Sequence, residues 1–90
     1  MPDLTPSQED RDRHLRVLEE AHDIYVERSK ERGQLWKEFE PEDAKLHIKS
    51  KSARVIHRDG FAEDDALDLI NYAVFYIRHM RAVGLPKEEK

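Results

Sequence analysis

Apolar positions recur along this chain at steps of three and four residues, which is the period of an α-helix. Leu15, Leu18 and Tyr25 follow this spacing within a segment, 8–32, that contains neither proline nor glycine. Gly33 comes directly after the segment, and glycine is the residue that most often follows a helix end. The pattern therefore predicts a first helix over 8–32.

The segment 33–40, which follows the first helix, is too apolar for a solvent-exposed loop. It contains Leu35, Trp36 and Phe39, and we expect it to fold as a short apolar turn that covers one end of a core. The proline that comes next suits the first position of a helix, and the acids after it favour the positive end of the helix dipole. A second helix is predicted over 41–58.

The third predicted helix, over 62–84, differs from the others in being apolar on nearly every side. Three acidic residues open it, and apolar residues occupy most positions between Ala66 and Val83. Such a helix is usually buried on nearly all sides, and two neighbouring helices are too few to surround it. We therefore expect an all-α fold, a three-helix antiparallel bundle that forms a homodimer through its third helix.

The chain length of 90 residues corresponds to one domain. We expect a single helical domain over 8–84. A disordered N-terminal segment over 1–7 precedes it, and a solvated tail over 85–90 follows it. Prolines in the first of these segments and charged residues in the second support these limits.

Charge and composition narrow the class of protein. The 20 acidic and 16 basic side chains give a net charge of −4, which disfavours nucleic-acid binding because that binding depends on neutralised phosphates. There is no cysteine, so disulfides and thiolate zinc sites are excluded. The sequence has no run of roughly 18 apolar residues and no apolar signal region at its N-terminus. We expect a cytoplasmic protein without a membrane partner.

Acidic and amide side chains interrupt the apolar third helix. Steps of four and three residues place Asp64, Asp68 and Asn71 on one helix face, with Asp65 beside them. A buried carboxylate costs several kcal/mol unless it is paired or metal-bound, and clustered oxygen ligands suit Mg²⁺ or Mn²⁺. The alternative is that Asp64 and Asp65 are ordinary N-terminal helix acids and Asp68 pairs with a Lys or Arg of the second helix.

The first helix carries a second group of candidate ligands, Glu19, Glu20, His22 and Asp23. Two pairs within this group are three residues apart, which places each pair on adjacent helical turns. His22 lies on the same side as the apolar stripe, where a histidine either packs through hydrogen bonds or binds a ligand. Glu19 borders that face, and Glu20 lies off it as a solvated acid.

The second helix is basic. Lys49, Lys51 and Arg54 are the candidates for phosphate contacts, because lysine supplies a point charge and arginine donates two parallel hydrogen bonds. The alternative is a solvated helix face with charge pairs four residues apart. A basic helix followed at once by an acid-bearing one could hold a phosphate together with its metal ion.

The aromatic residues are first of all candidates for the core. Aromatic side chains at helical spacing usually pack against one another. For Trp36 and Tyr72 the alternative is a stacking contact with a nucleobase. The chain contains no nucleophile elbow, glycine-rich phosphate loop, HExxH or CxxC motif, so an enzymatic activity would depend on a positioned metal ion and water.

Three segments in this order resemble the nucleotide-modification-associated domain of bacteriophages and bacteria. They are HDxY at 22–25 with Trp36 after a spacer, IKSKSAR at 48–54, and EDxxxDLINYA at 63–73. The resemblance covers about 18–80, and its third segment is the most specific. That family is similar in turn to the MazG-like all-α nucleoside triphosphate pyrophosphatases.

MazG-like enzymes hold Mg²⁺ around a triphosphate with ExxE on one helix and ExxD on a later one. Asp65-x-x-Asp68 resembles the second pair with Asp in place of Glu. Glu20-x-x-Asp23 has the spacing of the first pair, and Glu19-x-x-His22 is the alternative. The resemblance implies that Asp65 and Asp68 ligate Mg²⁺ with help from Glu19 or Asp23, that Asn71 orients a ligand or the attacking water, and that Lys49, Lys51 and Arg54 neutralise phosphates.

The resulting hypothesis is a nucleotide-binding helical protein of phage or prophage origin, with the metal-dependent pyrophosphatase activity that the resemblance implies. The competing hypothesis is a non-catalytic interaction module. Its apolar third helix would dimerise or dock on a partner protein, and its charges would only keep it in solution.

Overall fold

The computed structural model describes residues 4–83 and contains three α-helices joined by short connections. They are α1 (Gln8–Arg32), α2 (Pro41–His57) and α3 (Glu63–Ala82), with a 3₁₀ turn (Leu35–Glu38) between α1 and α2. No strand occurs among these residues. The all-α fold with three helices is confirmed, and the first helix has the predicted bounds.

Short-range hydrogen bonds define both ends of α1. The Ser7 hydroxyl accepts a hydrogen bond from the Asp10 backbone N–H at 3.1 Å and caps the first turn. At the other end, the Gly33 N–H donates to the Ser29 carbonyl at 2.9 Å. Gly33 has a φ of 69°, a conformation that glycine adopts without steric penalty.

The second helix ends one residue before its predicted limit. Its start is fixed by Pro41 in the first turn and by the Glu40 N–H, which donates to the Asp43 carboxylate at 2.9 Å. At its end, Arg58 has φ −77° and ψ 133°, so its backbone is extended. Gly60, with a φ of 78°, then turns the chain toward α3.

Side-chain contacts give the direction of α1 relative to α3. The Asn71 amide donates to the Ala21 carbonyl at 2.8 Å, and Arg28 donates to Asp68 at 2.6 Å. A residue later in α1 therefore contacts a residue earlier in α3, so the two helices run antiparallel.

Side-chain contacts also give the direction of α2 relative to α3. His47 stacks on Tyr72 with ring centroids 4.4 Å apart, whereas Arg58 donates to Asp64 at 2.6 Å. Helix α2 is therefore also antiparallel to α3, so α3 is the helix that both others pack against. The predicted antiparallel bundle is consistent with these contacts.

The core is small and centres on one aromatic stack. Trp36, in the 3₁₀ turn, is buried and stacks on Phe75 with centroids 4.7 Å apart and an interplanar angle of 8°. The other buried hydrophobic residues of the described chain are alanines: Ala21, Ala44 and Ala62. As predicted, the segment between α1 and α2 contributes apolar packing, but the helices bring few large side chains to the interior.

Much apolar surface consequently stays exposed. Large aliphatic side chains on every helix are more than a third exposed, among them Leu15, Leu18, Leu46, Val74 and Ile77. In the part of the chain that the structure describes, no helix combines the length and apolar character needed to cross a bilayer.

The ends of the chain are described only in part. Residues 4–7 precede the first helix and are exposed. The remainder of the predicted N-terminal segment, 1–3, and the predicted tail, 85–90, lie outside the described residues. The last position of the predicted third helix, residue 84, lies outside them as well.

Replacement of Trp36 by alanine is expected to lower the free energy of unfolding by about 3–5 kcal/mol, because a large buried aromatic is lost. The indole Nε1 is buried and has no hydrogen-bond partner among the described residues. Trp36→Phe should therefore cost much less, since a smaller aromatic ring still stacks on Phe75 and the unpaired N–H is removed. Urea unfolding would measure both, with Leu46→Ala at an exposed position as the control.

Equal losses for Trp36→Ala and Leu46→Ala would contradict this account of the core. A loss for Trp36→Phe as large as that for Trp36→Ala would show that the indole nitrogen, and not the ring stack, stabilises the turn.

Candidate functional site

Two acidic residues of α3 are buried on the side of that helix that faces its neighbours. The side chains of Asp65 and Asp68 are only 8% and 6% exposed. They are three residues apart, so they project from adjacent turns of one helix face. Because a buried carboxylate is costly unless it is paired, the groups that face these two residues determine what the site can do.

Asp68 is paired from two sides. Its Oδ1 accepts a hydrogen bond from the Arg28 guanidinium of α1 at 2.6 Å, and its Oδ2 lies 3.0 Å from the Lys51 ammonium of α2. Both carboxylate oxygens therefore have a cationic partner. The pairing with a base of α2 is the one expected if Asp68 is structural, and the contact from α1 is additional.

Asp65 faces two bases of α2 and Arg58, the residue that follows α2. Its Oδ1 lies 3.5 Å from the Lys51 ammonium and 3.7 Å from the Arg54 guanidinium. Its Oδ2 accepts a hydrogen bond from Arg58 at 3.1 Å. Lys51 thus bridges the two acids, and this ion-pair network (Asp65, Asp68, Arg28, Lys51, Arg54 and Arg58) connects all three helices.

Arg58 also closes the connection between α2 and α3. Its guanidinium donates to Asp64 at 2.6 Å as well as to Asp65. The hydrogen bond from Arg58 lowers the pKa of the Asp64 carboxyl below its ordinary value, and the backbone N–H of Asp65 lowers it further. The same bonds, first that to Asp64 and then that to Asp65, raise the pKa of Arg58.

A cavity of about 160 Å³ lies next to the network, between α1, the 3₁₀ turn and α3. Five aromatic rings form most of its wall: Tyr25, Trp36, Phe39, Tyr72 and Phe75. The polar part of the wall contains Asp68 and Asn71 from α3 and Arg28 and Arg32 from the last turns of α1. The cavity therefore combines an aromatic interior with positive charge on one side.

Of the two arginines in that wall, only Arg28 is paired with an acid of the described chain. Arg28 uses one nitrogen for Asp68, and its side chain is 46% exposed. Arg32 is exposed and has no acidic partner among the described residues. A guanidinium has five N–H donors, so both residues retain donors that can reach an anion in the cavity.

Most of the residues predicted for the site lie in one of these two places. Lys51, Arg54, Asp65 and Asp68 belong to the ion-pair network, and Asp68, Asn71, Trp36 and Tyr72 line the cavity. The exceptions are Glu19, Asp23 and Lys49. The side chains of these three are exposed and make no ion pair or hydrogen bond within the described residues.

The two rings predicted to stack on a base already have ring partners. Trp36 stacks on Phe75, and the Arg78 guanidinium carbon lies 4.3 Å from the centre of the Trp36 ring. Tyr72 is stacked on His47 at 4.4 Å and meets the edge of Phe75. Both rings are therefore already in contact with side chains of this chain, and Trp36 is only 8% exposed.

The helices do not bring Glu19 or Asp23, the other predicted Mg²⁺ ligands, to Asp65 and Asp68. Among residues 4–83, no three His, Asp or Glu side chains form a group that could hold a metal ion. The four carboxylate oxygens of Asp65 and Asp68 each face a nitrogen of Lys or Arg. In this arrangement a divalent cation would have to displace those bases, so the site as folded does not fit the ion.

Sequence reasoning missed the arginines of α1. Arg28 follows Ala21 by seven residues, and that spacing places both on the same side of the helix. Ala21 is buried against α3, so an arginine on the same face is close enough to reach a polar group of α3. The signal was present, but it required knowing which face of α1 is covered.

No protein family, curated protein or solved structure matches this chain. The site therefore has to be interpreted from its own geometry.

Replacement of Asp68 by asparagine should lower the free energy of unfolding by about 3 kcal/mol, near the lower end of the range for breaking a buried ion pair. Arg28 and Lys51 would both lose an anionic partner, although the half-exposed Arg28 regains contact with water. Asp64→Asn is the matched control, because Asp64 is exposed and pairs only with Arg58. Urea unfolding at neutral pH compares the two variants. Similar losses of unfolding free energy would contradict the claim that the buried Asp68 pairing stabilises the fold more than the exposed Asp64 pairing.

The depressed pKa of Asp64 makes a second prediction. Its stabilising effect is complete above the ordinary value of 3.8 and is lost as the pH falls through the lower native value, because the unfolded state binds the proton more tightly. Arg58→Gln should move the pKa back up, as followed by carbon-detected NMR titration. Arg54→Gln, which removes a base that contacts only Asp65, should leave the Asp64 titration unchanged.

Proposed function

We propose that this protein binds a nucleotide in the aromatic cavity between α1, the 3₁₀ turn and α3. The observation that carries the proposal is the combination of stacked aromatic walls with two arginines, of which Arg32 has no acidic partner in the described chain. Aromatic rings bind a flat heterocycle, and arginines bind phosphate oxygens. A ligand that has both parts, a nucleotide, matches both parts of the site.

The size of the cavity supports a single heterocyclic ring. An engineered apolar cavity of roughly 150 Å³ holds one benzene molecule, and this one measures about 160 Å³. The volume is therefore of the size that one six-membered base ring needs. Sugar and phosphate would extend toward Arg28 and Arg32, at the open side where the last turns of α1 meet the solvent.

Asn71 and Asp68 are the groups that would face the base edge. The Asn71 amide nitrogen already donates to the Ala21 carbonyl at 2.8 Å, and its position in the cavity wall is thereby fixed. Its amide oxygen is left as an acceptor for a base N–H. Asp68, held by Arg28 and Lys51, adds a second acceptor.

The proposal is limited to binding. Hydrolysis of a triphosphate, which the resemblance implies, needs Mg²⁺ near Asp65 and Asp68, and both carboxylates are paired with bases. Metal dependence and pyrophosphatase activity stay predictions from the sequence. They are measured in the same experiment as binding.

Isothermal titration with nucleoside mono-, di- and triphosphates, with and without Mg²⁺, tests the proposal. Arg32→Gln should weaken binding by about 10- to 100-fold, since a hydrogen bond to a charged group contributes about 1.5–3 kcal/mol and 1.4 kcal/mol is a factor of ten. Arg16→Gln is the control, because Arg16 is equally an exposed arginine of α1 but does not line the cavity.

The outcomes separate the hypotheses. Binding that is lost in Arg32→Gln and kept in Arg16→Gln supports the cavity as the nucleotide site. Release of pyrophosphate from the Mg²⁺-containing mixtures would extend the function to hydrolysis. No heat of binding with any nucleotide, or equal weakening in the two variants, would refute the proposal.

A further inference from the structure

The two arginines in the cavity wall are spaced for a single phosphate group. Arg28 and Arg32 are four residues apart on α1, so they project from adjacent turns of one helix face. Residues at this spacing have Cβ atoms about 5–6 Å apart, and two guanidiniums that close together can donate to oxygens of the same phosphate. No third basic residue of the described chain lines the cavity.

Little positive charge is left over at this wall. Asp68 is the acid that lines the cavity, and it pairs with Arg28, which leaves Arg32 as the unpaired cation of the described wall. Lys51, which also contacts Asp68, is shared with Asp65. A phosphate monoester carries about −1.5 to −2 charge near neutral pH. One such group therefore already uses the positive charge that the wall supplies.

The position of the arginines along α1 adds to this limit. Both lie in the last two turns of the helix, which ends at Arg32, and the unpaired carbonyl groups of a helix C-terminus carry a partial negative charge. Glu31 is exposed next to Arg32 and has no ion-pair partner within residues 4–83. A second and a third phosphate, extending from the open side of the cavity, would meet this negative field.

A metal ion would normally offset the charge of a longer phosphate chain. Mg²⁺ is typically held between one or two carboxylates and the phosphates of its nucleotide. Here the oxygens of Asp65 and Asp68 face nitrogens of Lys and Arg instead. The site as folded therefore offers no second source of positive charge for a triphosphate.

The aromatic part of the cavity limits the base in a similar way. Its volume of about 160 Å³ is of the size that one six-membered ring needs. In a pyrimidine nucleotide the sugar is attached directly to that ring, whereas in a purine nucleotide a fused five-membered ring lies between them. A purine that placed its six-membered ring in the cavity would hold its phosphate farther from Arg28 and Arg32.

We infer that the ligand of this cavity is a pyrimidine nucleoside monophosphate, which the site distinguishes both from purine nucleotides and from pyrimidine triphosphates. The inference rests on the proposed nucleotide site and specifies the class of its ligand. It differs from the triphosphate that the sequence resemblance implies. The aromatic walls take the single ring, and the arginine pair of α1 takes the single phosphate.

Isothermal titration in buffer without Mg²⁺ tests the inference with uridine, cytidine, their mono- and triphosphates, and AMP. At least one pyrimidine monophosphate should bind about tenfold more tightly than its own triphosphate, because each added charge meets the unfavourable end of α1. It should also bind about tenfold more tightly than AMP, whose phosphate makes weaker hydrogen bonds with the arginine pair. The two nucleosides, which lack phosphate, measure what the phosphate contributes.

A variant of the exposed arginine assigns that contribution to the arginine pair. In Arg32→Gln the affinity for the pyrimidine monophosphate should fall toward that of its nucleoside, whereas the affinity for the nucleoside should not change. Arg16→Gln, at an exposed position of α1 that does not line the cavity, should change neither affinity.

The possible results separate this inference from the proposed function. If AMP or a triphosphate binds as tightly as the pyrimidine monophosphates and Arg32→Gln still weakens that binding, the cavity remains a nucleotide site and the inference about its ligand is overturned. If none of the compounds binds, the proposed function fails and the inference fails with it. Tightest binding of a pyrimidine monophosphate, weakened selectively in Arg32→Gln, supports both.

Discussion

Burial of two carboxylates on α3 is the constraint on which the rest of this structure depends. Asp65 and Asp68 lie in a core whose other buried members, Trp36 apart, are mostly alanines. Apolar packing of that kind fixes the relative position of helices only weakly, because few side chains interdigitate. A buried acid without a partner would cost several kcal/mol, so α1 and α2 must each present a base at its level. Polar pairing, more than aliphatic packing, sets the register of the three helices.

The candidate site was predictable to the extent that it lies on one helix. Steps of three and four residues placed Asp65, Asp68 and Asn71 on adjacent turns, and the apolar setting of Asp68 indicated that something must offset its burial. The sequence left open whether that was a metal ion or a base. The answer depended on residues such as Arg28, which is separated from Asp68 by 40 positions. No local pattern relates two residues so far apart.

The sequence by itself determined the helices and most of their limits. Periodicity, Ser7, Gly33 and Pro41 act within a turn of the residues they affect, because capping and backbone hydrogen bonds are local. Only the tertiary structure decided which side of each helix is covered. It brought Lys51 between two acids, formed the cavity beneath the 3₁₀ turn, and left the outer face of α1 and α3 exposed. Those outcomes depend on how the helices pack across distant parts of the chain, where the free energies of desolvation and ion pairing are balanced between elements.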